Sequence, residues 1–211
     1  MSTDAGKRGP YAPSRRRREQ IAQAVLDIVD ELGHERVTTA LVAERSGTPE
    51  ATVLYHFPTK DHLLIAALEL VDQRLAEETG ALSESPAFDI EAFRDSTSET
   101  EPRMRLQMAI RGQAGTRGHP AAEFYRHRLE QGIEIFTRVI RRRQQEGLAH
   151  PGIDPVDAAR QFYALWDGLG EMALLGMEFD QTQALIDGFR RITGANWMEA
   201  RDRMMGDDIG L

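Results

Sequence analysis

A short segment at residues 38–60, TTALVAERSGTPEATVLYHFPTK, constrains the fold of this chain more than any other feature. It predicts two short helices joined by a tight turn. Ala43 is small enough to let the helices approach each other closely, and Gly47 supplies a turn conformation that a β-carbon would resist. Val53 then points an apolar side chain into the angle between the two helices.

The second of these helices has a polar outer face. Thr48 can cap it and Pro49 can open it, because the first helical N–H has no partner within the helix. The residues left facing outward are Glu50, Thr52, Tyr55 and His56. Two helices set at a steep angle, the second with short polar side chains, are how a helix-turn-helix places a recognition helix in the DNA major groove. The segment therefore predicts DNA binding.

The charge of the chain is unevenly distributed around a formal net charge of −8. Residues 1–60 carry nine basic and eight acidic side chains, whereas residues 61–211 carry 17 and 26. Salt screens exposed charges beyond about 8–10 Å, so the attraction of phosphates is local. An acidic C-terminal body therefore permits DNA binding by the N-terminal part, but it argues against a broad, non-specific nucleic-acid surface.

The composition excludes several classes of protein. The absence of cysteine excludes disulfide scaffolds, thiolate metal sites and cysteine nucleophiles. No apolar run approaches the ~20 residues that a membrane-spanning helix needs. The arginines at residues 15–18 are not followed by the apolar stretch of a secretory signal. We expect a soluble protein that acts in the cytoplasm.

Apolar residues at helical spacing predict an all-α fold of about nine helices in two parts. A flexible arm at residues 1–14 precedes a three-helix, helix-turn-helix DNA-binding domain at residues 15–60. A larger helical domain for effector binding and dimerisation covers residues 61–211. Its longer helices are predicted at residues 61–78, 103–115, 120–146, 154–176 and 182–204, with at most one short helix near 89–94.

The chain resembles the TetR family of bacterial transcriptional repressors. The resemblance rests on residues 15–75: a first helix that ends in Leu32-Gly33, the helix-turn-helix with ATVLYHFPTK, and a helix that begins at Asp61. The remaining two thirds of the chain match only in helical architecture and in a final helix pair suited to dimerisation.

The resemblance implies a set of DNA contacts. Positions that usually touch phosphates correspond to Thr38 or Thr39 at the start of the first helix, and to Thr52, Tyr55, His56 and Lys60. The tip that usually faces base edges corresponds to Thr48, Pro49, Glu50 and Ala51. The family often has a tyrosine where this chain has Leu54, so the aromatic phosphate contact falls to Tyr55. Glu50 stands where many relatives carry a basic or small residue. It could accept a hydrogen bond from a cytosine amine or simply face water.

Two features near the DNA-binding segment have alternative explanations. The Arg15–Arg18 run is either a solvated helix start or a basic arm that contacts phosphates or the minor groove. Because four arginines at a helix N-terminus oppose the macrodipole, we expect Arg17 and Arg18 to bind DNA. His56, beside Phe57, is either a packed core histidine or a phosphate donor.

Methionine and aromatic residues are frequent in the C-terminal helices, where they suit an apolar ligand pocket with a few polar groups. Any one of them is more often plain core. The predicted lining is Met104, Gln107, Met108, Arg111, Phe124, Tyr125, Arg128, Phe162, Tyr163, Trp166 and Met172. The effector would be a small, hydrophobic molecule, and the arginines leave room for an acidic group on it.

Two glycines point to a symmetric dimer. Gly168 and Gly170 within a predicted helix each cost about 1 kcal/mol relative to alanine. Close approach of a helix from a second subunit would offset that cost. The residues predicted for this interface, built from two helices of each subunit, are Leu165, Leu169, Leu185, Ile186 and Phe189.

These features together predict a ligand-responsive homodimer that binds a palindromic operator, most simply a repressor released by a small molecule. No cofactor or metal is expected: Glu31 and His34 have Glu-x-x-His spacing, but a di-iron bundle needs a second copy. Motifs for nucleophilic or phosphate chemistry are also missing, which disfavours an all-α enzyme. An activator, or a helical adaptor whose helix-turn-helix no longer engages DNA, remains an alternative.

Overall fold

The computed structural model describes residues 11–84, 100–199 and 201, and within these ranges it contains helices and no β-strand. The predicted all-α class is thus confirmed. The order of elements is α1 (Tyr11–Leu32), a 3₁₀ turn (His34–Arg36), α2 (Thr39–Ser46), α3 (Glu50–His56), α4 (Lys60–Glu84), α5 (Glu101–Gln113), α6 (Pro120–Gln145), α7 (Pro155–Leu174) and α8 (Gln181–Ile192). Residues 195–199 are again helical.

Several predicted segments have different limits or lie outside the described residues. The helix α1 begins at Tyr11, so residues 11–14 are helical and do not belong to an arm. Pro13 suggested irregular structure, but proline is tolerated in a first helical turn because the N–H it lacks has no partner there. Residues 1–10 of the predicted arm, the short helix near 89–94 and the predicted helix end near 204 lie outside the described residues.

The chain divides into two compact units. Of the described residues, 11–74 and 100–122 form one unit, and 75–84, 123–199 and 201 form the other. No helix in the described ranges is long and apolar enough to cross a membrane. The functional division between residues 60 and 61 stays a prediction.

The core of the first unit forms around α1. Its predicted apolar face is confirmed, because Ile21, Val25, Ile28 and Val29 are all fully buried. Val42 of α2, Val53 of α3 and Leu63 of α4 are also fully buried, so each of these helices contributes an apolar side chain to the core of this unit. Leu32, the last residue of the predicted stripe, is exposed.

Three phenylalanines from successive helices form the centre of the second unit. The ring of Phe162 on α7 packs edge-to-face against Phe136 on α6 and Phe189 on α8, at centroid distances of 4.8 and 4.9 Å. The start of α7 is as predicted: the Asp154 carboxylate accepts hydrogen bonds from the N–H groups of Val156 and Asp157, at 2.9 and 2.8 Å.

Close packing within this unit depends on glycines other than the predicted ones. A β-carbon on Gly132 would lie 2.2 Å from Cε2 of Tyr163, and one on Gly188 would lie 2.1 Å from Cδ2 of Leu165. A β-carbon on Gly168, by contrast, would meet no atom of the described chain within 4 Å. Gly168 therefore accommodates no helix of its own subunit, and its predicted role against a second subunit stays a prediction.

Candidate nucleic-acid interface

The turn between α2 and α3 has the predicted geometry. Gly47 adopts a left-handed conformation with φ 60° and ψ 28°, which L-residues with a β-carbon rarely adopt. The next N–H, that of Thr48, donates to the carbonyl of Ala43 at 3.1 Å and closes the end of α2. Val42 and Val53 bury their side chains completely on either side of this turn. The turn and these two contacts orient α3, and with it the polar face.

The prediction that Thr48 caps α3 and faces base edges is wrong. The N-cap position is taken by Pro49, and Thr48 is only 2% exposed. Its hydroxyl donates to the carbonyl of Ser46 and accepts from Nη1 of Arg17, both at 3.4 Å. Because α3 starts at Glu50, one residue later than expected, the Thr48 side chain turns into the unit.

Most other residues predicted to touch DNA are accessible on this unit. Tyr55 is the most exposed large side chain on α3, with 83% of its surface accessible. Thr39, Thr52 and His56 are partly buried, and the exposed members of the set are Arg17, Arg18, Thr38, Pro49, Glu50, Ala51 and Lys60. Leu54, where the family often has a tyrosine, is also exposed.

The two predicted arginines of α1 lie against the helix-turn-helix. Nη1 of Arg18 donates to the carbonyl of His56 at 3.2 Å, and its guanidinium carbon lies 4.5 Å from the ring centroid of Phe57. Arg17 reaches Thr48. These contacts hold two positive charges beside α3. The imidazole of His56 is half-buried with its centroid 5.3 Å from the Tyr55 ring, so both explanations of this residue stay open.

Three other predicted contacts have partners within the protein. Oγ1 of Thr38 accepts from the N–H of Leu41 at 3.2 Å and so caps α2. Nζ of Lys60 donates to the carbonyl of Glu35 at 2.7 Å. The hydroxyl of Thr39 donates to Oε1 of Glu50 at 2.5 Å. The last bond joins the first residues of α2 and α3, which no periodicity in the sequence predicts.

An ion pair occupies the position where a Glu-x-x-His metal motif was considered. Nη2 of Arg45 lies 2.7 Å from Oε2 of Glu31, and this hydrogen bond and the guanidinium charge lower the pKa of Glu31. His34 instead lies 3.5 Å from a carboxylate oxygen of Glu35. Among the described residues, no three His, Asp or Glu side chains are grouped so as to hold a metal ion.

The predicted pocket residues do not fall within one compact unit. Four partly buried ones, on α5, belong to the first unit: Met104, Gln107, Met108 and Arg111. The others belong to the second unit: Phe124, Tyr125, Arg128, Phe162, Tyr163, Trp166 and Met172. Phe162 is fully buried between two phenylalanines, so its assignment to a pocket lining is wrong. Met172 is exposed, whereas Tyr125 is buried.

Two of the predicted dimer residues are also core residues. Leu185 and Phe189 are 1% and 4% exposed within their own subunit. The prediction that they form the interface is wrong, because α8 buries this face against its own unit. Leu165, Leu169 and Ile186 are partly exposed and remain candidates.

The turn, the two buried valines and the exposed polar face of α3 define a helix-turn-helix DNA-binding fold. Residues 26–67 match the family model described as bacterial regulatory proteins, tetR family. This helix-turn-helix segment is thus similar to the DNA-binding region of TetR-family regulators, which are DNA-binding transcription factors and not enzymes.

Similar proteins cover different parts of the chain. The transcriptional regulator BetI of Proteus mirabilis is 26% identical over 100 residues, which are 47% of this chain and 44% of that relative, so the chain spans less than half of its length. A TetR transcription regulator from Haloarcula marismortui has the same fold, with a TM-score of 0.69, 22% identity and coverage of 86% and 98%. SmeT, the repressor of a Stenotrophomonas maltophilia multidrug efflux pump, has a TM-score of 0.60, 24% identity and coverage of 84% and 89%. A SmeT–triclosan complex has a TM-score of 0.63, 22% identity and coverage of 85% and 91%.

Proposed function

We propose that this protein is a cytoplasmic transcriptional regulator that binds operator DNA through the exposed face of α3. One observation carries the proposal: Tyr55 is 83% exposed on a helix whose Val53 is fully buried. Contact with DNA would remove the exposed part of this aromatic ring from water and would give its hydroxyl a hydrogen-bond partner. The buried valine keeps the helix in place while it does so.

The charge around α3 supports the same proposal. Arg17 and Arg18 are held beside the helix by Thr48 and by the His56 carbonyl, and Lys60 stands at the start of α4. Cations at such positions attract phosphates and fix the register of a protein on the duplex, while base edges supply specificity. Residues 15–60 would thus form the DNA-binding part.

A homodimer on a palindromic operator follows from the way that helix-turn-helix proteins use two half-sites about 34–36 Å, or a multiple, apart. Gly168 has open space beside it, and Leu165, Leu169 and Ile186 are partly exposed, which supports a second subunit against α7 and α8. Residues 61–211 would supply this interface and the effector site.

Repression relieved by a small hydrophobic molecule is the regulatory mode that we propose. Its support is the fold shared with SmeT, which is named a repressor and has a structure with triclosan. The helix α4 starts at Lys60 in the first unit, and its residues from 75 onward belong to the second, so it joins the two parts covalently. A coupling of about 1–3 kcal/mol would change operator affinity about 5- to 150-fold.

Fluorescence anisotropy with DNA from upstream of the gene tests the proposal. Wild type should bind and the Tyr55→Ala variant should bind about 10-fold more weakly, whereas Trp197→Ala, which removes an exposed aromatic side chain from the second unit, should bind as wild type does. Circular dichroism would confirm that both variants are folded. Equal affinity of Tyr55→Ala and wild type would overturn the role of α3. If the wild type does not bind its upstream DNA, the alternative of a helical adaptor protein that no longer engages DNA would be favoured.

A further inference from the structure

The hydrogen bond between Thr39 and Glu50 gives the candidate interface an oriented negative charge. Oγ1 of Thr39 lies 2.5 Å from Oε1 of Glu50, across the angle between α2 and α3. Glu50 is exposed, and in the part of the chain that the structure describes it forms no ion pair with a basic side chain. It is therefore a carboxylate without a basic partner on the face that we assign to DNA.

A carboxylate at that position weakens the attraction of phosphates unless it accepts a hydrogen bond from a base. Only two groups in the major groove can donate one, the N4 amine of cytosine and the N6 amine of adenine. Thymine and guanine present carbonyl and ring-nitrogen acceptors there, which repel a carboxylate. The charge of Glu50 therefore lowers the affinity for sites with thymine or guanine at this position and raises it for sites with cytosine or adenine.

The ionised carboxylate distinguishes between the two amines because it only accepts hydrogen bonds. In adenine, N6 is adjacent to N7, a second acceptor whose lone pair faces the incoming oxygen. In cytosine, N4 is adjacent to a C–H edge, which carries no such lone pair. The amide of glutamine, which donates as well as accepts, has the opposite match and pairs with adenine N6 and N7.

Thr39 determines where the carboxylate points. Its single hydroxyl proton is donated to Glu50, so that proton is not available for a phosphate in this arrangement. Binding one carboxylate oxygen in advance lowers the entropy that Glu50 loses when its other oxygen meets a base. Thr39 is thus a positioning residue in place of the phosphate contact that its sequence position implied.

We propose that Glu50 reads a cytosine in each operator half-site and that Thr39 holds its carboxylate in position. The inference rests on the proposed function, since it assigns a base preference to the same α3 surface. It also accounts for an acidic residue at a position where the family resemblance implied a basic or small one.

Selection from a randomised duplex library, followed by anisotropy with single-base variants, tests this specificity with the full-length chain. Wild type should select cytosine at one position per half-site, and replacing it with thymine should weaken binding about 5- to 10-fold. Glu50→Gln should change the preference at that position to adenine and leave the other positions unchanged. Glu134→Gln, which removes an exposed carboxylate on α6, should select the wild-type sequence.

The positioning role has its own variants. Thr39→Val should bring the ratio of affinities for the cytosine and thymine duplexes towards one. Thr39→Ser, which restores a hydroxyl, should recover the wild-type ratio. Thermal melting identifies a merely structural effect, because that would lower stability without altering base preference. If Glu50→Gln selects the same base at every position as wild type, Glu50 faces water and the inference is wrong. A wild type that enriches no sequence would instead contradict the proposed function itself.

Discussion

Arg103 on α5 binds Asp30 on α1 through two parallel hydrogen bonds, Nε to Oδ1 at 2.9 Å and Nη2 to Oδ2 at 2.5 Å. The hydroxyl of Thr100 donates to the same carboxylate at 3.0 Å. The two charged side chains are only 28% and 29% exposed, so solvent screens this pair less than an open surface pair. The pair connects α1, which carries Arg17 and Arg18, to a segment more than 70 residues later in the chain.

Replacing Arg103 with lysine tests the two-point geometry of this pair. Lysine keeps the charge but cannot donate in the planar, bidentate manner of a guanidinium. We expect Arg103→Lys to lower the free energy of unfolding by about 1–2 kcal/mol in urea denaturation. The control is Arg138→Lys, in an exposed i,i+4 pair with Glu134, which should change the free energy of unfolding by less than about 0.5 kcal/mol. Equal effects of the two substitutions would show that the geometry is unimportant.

Gly132 tests close packing in the second unit. A β-carbon there would lie 2.2, 2.7 and 3.3 Å from three atoms of the rigid Tyr163 ring. We expect Gly132→Ala to lower the free energy of unfolding, measured in thermal melts, by about 1–3 kcal/mol. The steric overlap with the ring costs more than the better helix propensity of alanine returns. A more stable Gly132→Ala protein would contradict this packing.

Gly168→Ala serves as a matched control and as a test of the dimer. Apart from the backbone of its own helix, no atom of the described chain lies within 4 Å of the added carbon. The substitution should therefore raise the free energy of unfolding of the isolated subunit by about 0.5–1 kcal/mol. If a helix of a second subunit packs here, the same substitution should weaken self-association in analytical ultracentrifugation. An unchanged dimer dissociation constant would exclude Gly168 from the interface.

Acid should weaken the Glu31–Arg45 pair in a predictable pH range. The hydrogen bond and charge of Arg45 lower the pKa of Glu31 in the folded state, so the pair contributes stability above the ordinary glutamate pKa of about 4.3. That contribution is lost as the pH falls through the lower, folded pKa. Glu31→Gln should therefore be less stable than wild type near neutral pH, and in urea titrations the difference in the free energy of unfolding should disappear as the pH falls through the folded pKa of Glu31. A difference that stays constant in acid would contradict the assignment.

The salt dependence of DNA binding tests Lys60. If Nζ neutralises one phosphate per subunit, Lys60→Gln should reduce the slope of log K against log salt by about 0.9 per subunit. Lys60 is exposed, so the local fold should persist in this variant. Arg138→Gln, on the second unit, should leave the slope unchanged. If the slope for Lys60→Gln equals that of wild type, Lys60 does not contact a phosphate.

The helix boundaries show how far local patterns suffice. The Asp154 cap and the left-handed Gly47 were predicted because each depends on the conformation of a few consecutive residues. The start of α3 was misplaced by one residue, and that single shift turned Thr48 from an expected base contact into a buried side chain. A local sequence signal thus predicts that a helix exists more reliably than it predicts where a side chain at the end of that helix points.

The predicted interface residues show a second limit. Leu185 and Phe189 have the spacing of an apolar helix face, and that face is indeed buried. The spacing is the same whether the covering helix belongs to the same subunit or to another. Only the packed unit, with Phe189 against Phe162, distinguishes the two cases.

The sequence by itself determined the all-α class, the helix-turn-helix and the buried face of α1, because helical periodicity, capping and glycine conformation act over a few residues. Only the tertiary structure decided that Thr39 holds Glu50, that Arg103 binds Asp30 and that Leu185 is core. These relationships join residues that are close in space but distant in sequence. They form when helices pack against each other, and no spacing within one helix encodes which neighbour that will be.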